Sequence, residues 1–112
     1  MLHFKFFESE NDSKQLLVML HGFISDSTTY DSHVAYFSQH VNVLTIDLPG
    51  HGQDTSDMQD TWDFPYIAHA LDEVLSQFDT YDVYLLGYSM GGRVALYYAL
   101  YGSVALRGLL LE

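Results

Sequence analysis

The sequence predicts an α/β fold, a mostly parallel sheet with helices on both faces. Three observations predict it: short runs that are apolar throughout, helical stretches between them with an apolar stripe, and turns rich in Gly or Pro where the runs stop. Residues 2–7 alternate apolar and polar at first, as an edge or half-buried strand does, and residues 8–14 are a polar turn. Residues 16–20 (Leu-Leu-Val-Met-Leu) form a continuous apolar run that stops at His21-Gly22. Ser27, Thr28 and Asp31 offer capping chemistry for a helix over 29–39, with Tyr30, Val34 and Phe37 on one side. Residues 41–46 are a second buried-type strand, ended by Asp47-Leu48-Pro49-Gly50-His51-Gly52.

Residues 53–63 are polar and acidic without periodicity. A helix is expected over 64–78, its stripe being Ile67, Leu71, Val74, Leu75 and Phe78. Residues 81–86 form a third buried-type strand, followed at once by Gly87-Tyr88-Ser89-Met90-Gly91-Gly92. A helix then runs from Ser89 to about Tyr101, Gly102 ends it, and residues 105–111 make a last strand. No repeat, low-complexity segment or interdomain linker interrupts this order, so residues 1–112 read as part of a single domain.

Composition narrows the function classes. With 48% hydrophobic and 15% aromatic residues the chain has globular composition. Its formal net charge of −11 argues against nucleic-acid and anionic-membrane partners, whose phosphates call for Lys and Arg in number. The cations Lys5, Lys14, Arg93 and Arg107 form no cluster. The absence of Cys removes disulfides, thiolate metal sites and a Cys nucleophile. An acidic stretch follows the first residues before a signal-peptide core could form, and the longest apolar run, 94–101, is far too short to span a membrane. A cytoplasmic location is the expectation.

The segment Gly87-Tyr88-Ser89-Met90-Gly91 matches Gly-x-Ser-x-Gly between an expected strand and an expected helix, the setting of a nucleophile elbow. Such a turn is tight enough to strain the serine backbone and push its hydroxyl above the sheet, and positions two before and two after must be small. Ser89 is therefore the candidate catalytic residue. The Met90 N–H is a candidate oxyanion donor at a positive helix end. The second donor is expected from Phe23, since Gly22 lets the backbone approach closely. His21 reads as a histidine that hydrogen-bonds loop backbone in preference to one that transfers protons. Asp47 reads as the anchor of a structural turn; a metal site from Asp47, His51 and Asp54 has no second ligand set nearby, and neither metal nor cofactor is expected.

These motifs together resemble the α/β-hydrolase superfamily: His-Gly after one strand, Asp-x-Pro-Gly-x-Gly after the next, and Gly-x-Ser-x-Gly-Gly after a third. The resemblance covers essentially the whole chain but only the first half of that fold, without the cap and the C-terminal strands. Within the superfamily, residues 87–96 and 20–27 resemble the branch of menaquinone-biosynthesis synthases, which are lyases that eliminate pyruvate. That resemblance implies Ser89 as triad serine acting as a base, a multiply carboxylated small-molecule substrate, and Arg93 as its anchor.

Arg93 also has a physical argument of its own. It lies one helical turn past Ser89, where a guanidinium can hold a carboxylate through two parallel hydrogen bonds. The competing reading is an Arg paired with an acidic surface side chain. Tyr88 either lends its hydroxyl to the substrate or packs under the elbow, and His21 lies at the edge of the same substrate site.

A serine needs an imidazole and a carboxylate behind it, which in this fold follow the serine in the chain. Residues 90–112 contain no His and no Asp, and Glu112 is their only acid. All six His precede Ser89; His3, His33, His40 and His69 are read as surface residues. The chain alone is accordingly expected to be inactive. Its last strand would leave Leu106, Leu109, Leu110 and Leu111 as an apolar edge open to self-association. A carboxylesterase or carbon–carbon hydrolase acting covalently through Ser89, and a non-catalytic interaction domain, are the competing functions. A dinucleotide module is rejected because no Gly-x-Gly-x-x-Gly or P-loop Lys is present.

Overall fold

A computed structural model describes residues 2–21, 31–48, 64–87 and 90–111. Five strands are described: β1 (Phe4–Phe7), β2 (Gln15–Leu20), β3 (Asn42–Ile46), β4 (Asp82–Gly87) and β5 (Gly108–Leu111). Helices α1 (Asp31–Phe37), α2 (Phe64–Leu75) and α3 (Met90–Tyr101) lie between them, and a 3-10 turn at Ser76–Phe78 continues α2. The sheet order is β1-β3-β2-β4-β5. β1 runs antiparallel to β3, and the remaining neighbours are parallel. The expected α/β class and two-faced sheet are therefore present.

Both faces of the central strands are covered, which is why those strands are apolar throughout. Leu16, Val18 and Leu20 of β2, Leu44 and Ile46 of β3, and Val83 and Leu85 of β4 pack with Leu71, Val74 and Leu75 of α2 and Val94, Ala95 and Tyr98 of α3. The alternate residues Met19, Val43 and Leu86 pack with Val34 of α1 on the opposite face. Each fully buried Leu or Val contributes about 1.5–3 kcal/mol relative to exposure. Ile67 and Phe78, expected on the α2 stripe, pack only partly buried at the margin, while Ala68 and Ala70 are buried.

Two polar knots tie the segments together. Asn42 accepts the Ser9 amide at 2.8 Å and donates to the Ser13 and Gln15 carbonyls at 2.7 and 3.0 Å, holding the polar turn before β2. Tyr98 donates its hydroxyl to Asp72 at 2.6 Å and accepts the Val104 amide at 3.2 Å, while the Ser103 amide and hydroxyl each donate to Asp72 at 3.0 Å. Burial of the Asp72 carboxyl by itself pushes its pKa up, but the donors from Tyr98 and Ser103, with His69 nearby, hold it below the ordinary value. Burial and the bond to Asp72 push the Tyr98 hydroxyl well above its ordinary value.

The last strand is shorter than expected, starting at Gly108 instead of 105. Val104 and Leu106 turn against the larger core, and the Arg107 amide donates to the Val83 carbonyl at 2.7 Å before ladder pairing begins. The four leucines named for the apolar edge differ in exposure. Leu106 and Leu109 are half-buried against the core, whereas Leu110 and Leu111 are each 51% exposed. The expected capping residues Ser27 and Thr28 lie outside the described residues.

Candidate active site

The C-terminal ends of β2, β3 and β4 stand level, with Leu20 opposite both Ile46 and Gly87. His21, Asp47 and the end of β4 at Gly87 therefore lie side by side at this edge. In chain order β3 lies on one side of β2 and β4 on the other, so this edge is also where strand order reverses, the place where open α/β sheets bind ligands.

The two outer glycines of the motif, Gly87 and Gly91, approach through backbone contact. A Cβ on Gly87 would lie 2.5 Å from the Gly91 carbonyl carbon and 2.7 Å from the Gly92 Cα. On Gly91 it would fall onto the carbonyl oxygens of Leu20 and His21 and lie 2.8 Å from the Leu20 carbonyl carbon. Glycine is required at both places because the obstacles are main chain, which cannot swing aside. The first turn of α3 is thereby seated on the end of β2. Met90, the first residue of α3, has an amide with no intrahelical acceptor, at the positive end of a 12-residue helix.

His21 is fully buried and its Nε2 accepts the Leu48 amide at 2.8 Å. An accepting Nε2 carries no proton, so the hydrogen of the neutral ring is on Nδ1. The imidazole thus ties the loop after β2 to the loop after β3, the backbone-bonding role expected of it. Asp47, 2% exposed at its side chain, receives a hydrogen bond at 3.0 Å from Nδ1 of His3, and its amide donates to the His3 carbonyl at 2.9 Å. The expectation that His3 is a surface residue is corrected: its side chain is 32% exposed and packed against a buried carboxylate. His33, His40 and His69 are exposed.

Arg93 is exposed on α3 and lines a groove with Phe64, Leu96, Tyr97 and Leu100. Its charge pays no burial penalty there, so desolvation does not by itself demand an anion. Among the described residues no carboxylate stands within ion-pair distance of it. Ser89, Tyr88 and Phe23 lie outside the described residues, as do His51 and Asp54. Among the described residues there is no group of three or more potential metal ligands, and no helix long and apolar enough to cross a membrane.

The pattern of the alpha/beta hydrolase family matches residues 17–112. The chain belongs to that family. Two curated relatives, each a 2-succinyl-6-hydroxy-2,4-cyclohexadiene-1-carboxylate synthase, come from Photorhabdus laumondii and Yersinia enterocolitica. The first is 38% identical over 95% of this chain and 37% of its own length. The second is 39% identical over 86% of this chain and 34% of its own length. Among solved structures, MenH from S. aureus is 51% identical, with a TM-score of 0.96 over all of this chain and 42% of that one. An esterase from Exiguobacterium antarcticum is 26% identical, with a TM-score of 0.86 over 99% of this chain and 40% of that one. The chain thus spans well under half the length of these hydrolase-family relatives, and its five-stranded sheet is a partial α/β-hydrolase fold.

Proposed function

We propose that this chain carries the elbow and oxyanion-loop portion of a menaquinone-biosynthesis lyase, a 2-succinyl-6-hydroxy-2,4-cyclohexadiene-1-carboxylate synthase that eliminates pyruvate. The observation that carries the reading is the 51% identity to MenH from S. aureus over the whole chain at a TM-score of 0.96, against 26% for the esterase. Ser89 is the triad serine and acts as a base on the substrate once an imidazole and a carboxylate stand behind it. The Phe23 and Met90 amides stabilise the oxyanion charge that develops. Arg93 holds a substrate carboxylate, an assignment supported by its place beside an apolar groove with no described carboxylate in reach. Tyr88 and His21 belong to the same site, His21 by tying the end of β2 to Leu48 after β3.

Residues 90–112 offer no His and no Asp, so the 112-residue chain by itself turns over substrate at background rate. The decisive experiment is a chimera in which residues 1–112 replace the matching 42% of the S. aureus protein. Pyruvate release that disappears in Ser89→Ala supports the synthase reading. A chimera that cleaves simple carboxylic esters, is trapped at Ser89 by an organophosphorus ester and releases no pyruvate overturns it in favour of a carboxylesterase.

A further inference from the structure

β1 is antiparallel to its neighbour, and this direction has a chemical consequence. With Phe4 opposite Ile46, the residue before β1 arrives level with the residue after β3, at the edge where β2 and β4 end. A parallel first strand would deliver its N-terminal side to the opposite edge of the sheet. His3 and Asp47 therefore meet through both main chain and side chain, at 2.9 and 3.0 Å.

From there a continuous set of contacts reaches the elbow. The Asp47 carboxylate, almost wholly withdrawn from water, takes a hydrogen bond from His3. The next amide, Leu48, donates to His21 at 2.8 Å. The His21 and Leu20 carbonyls are the surface against which Gly91 is packed without room for a Cβ. We propose that His3 is a positioning residue for the start of α3, acting through Asp47, Leu48 and His21 on the backbone that seats Gly91, two residues after Ser89. This deepens the synthase reading and rests on Ser89 being the reacting hydroxyl.

The energetic reason is the burial of Asp47. A carboxylate withdrawn from water needs donors held in place, and removing one drives it to rotate or draw in water. Either response moves the 47–48 turn, and Leu48 then loses its alignment with His21. Close packing transmits the shift, since Gly91 rests directly on the Leu20 and His21 carbonyls.

Amide hydrogen exchange on the 112-residue chain tests this and reads the network whether or not Ser89 reacts. The probes are the Leu48 amide and those of Val94 and Ala95, whose helical acceptors are the carbonyls of Met90 and Gly91. His3→Leu is expected to speed exchange at all three by roughly tenfold or more, while the β4 amides keep their protection. His3→Asn, whose side-chain N–H₂ can stand where the Nδ1–H stands, is expected to restore it. The proposal is overturned if His3→Leu affects residues near 47 and leaves Val94 and Ala95 unchanged, or if all strands lose protection equally. Should His3→Leu fail to fold, His3→Gln replaces it, since Gln places its N–H₂ near the Nε2 position; equal exchange at Val94 and Ala95 in the Asn and Gln variants overturns the proposal. In the chimera, His3→Leu is expected to lower kcat more than it raises KM, with Asn recovering kcat.

Discussion

The His21 imidazole accepts the Leu48 amide through Nε2 at 2.8 Å, and both groups are buried. The histidine of the His-Gly pair is therefore a clamp between two loops, available to accept only while Nε2 is unprotonated. His21→Leu leaves the Leu48 amide buried without its acceptor and is expected to destabilise the fold by about 1–3 kcal/mol. His21→Gln, which can offer a carbonyl oxygen near the same place, should recover part of that loss. Urea unfolding of the two variants against the parent checks both.

Gly91 tests how tightly the elbow is seated. Ala at this position drives a methyl onto the Leu20 and His21 carbonyls, and main chain has to move to admit it. The expected cost is about 1–3 kcal/mol, read as a lower urea midpoint with an unchanged slope. In the chimera the same substitution should cut the rate of pyruvate release more than it weakens substrate binding, because Gly91 lies two residues after Ser89, the proposed reacting serine.

Arg93 is expected to act on binding. If its guanidinium holds a carboxylate, Arg93→Ala in the chimera loses a charge-assisted pair worth about 1.5–3 kcal/mol, or roughly tenfold to a hundredfold in KM. Arg93→Lys should recover only part of this, since an ammonium cannot make two parallel bonds. Equal KM for all three proteins would return Arg93 to the ordinary solvated surface.

The Asp72–Tyr98 pair predicts pH dependence at both ends of the scale. The Asp72 carboxyl titrates lower in the folded chain than unfolded, so its contribution is complete above the unfolded carboxylate value and is lost as pH falls through the folded one. The Tyr98 hydroxyl titrates higher when folded, so its contribution is complete below the ordinary tyrosine range and is lost as pH rises through and beyond it. Tyr98→Phe should cost about 1–3 kcal/mol near neutrality and flatten the alkaline limb of a Tm-against-pH curve.

The last strand predicts self-association. Leu110 and Leu111 point to opposite faces of an edge strand, each 51% exposed, and Leu96 and Leu100 of α3 are exposed as well. Light scattering of the 112-residue chain should report species larger than a monomer, and replacing Leu110 and Leu111 together with Lys should shift the population toward the monomer. An unchanged monomer in both proteins would remove the edge as an interaction site.

Local pattern determined the kind and order of the elements. The apolar runs of β2, β3 and β4, the stripe of α2 around Leu71 and Leu75, and the Gly87–Gly91 spacing are set by periodicity and by steric demands within a few residues. Only the tertiary structure decided that β1 runs antiparallel beside β3, and hence that His3 meets Asp47. The same holds for Tyr98 reaching Asp72 and for which leucines of the last strand face water. Each of these joins residues far apart in the chain, and pairing of that kind is selected by the burial of the whole sheet, not by any signal in the neighbouring sequence.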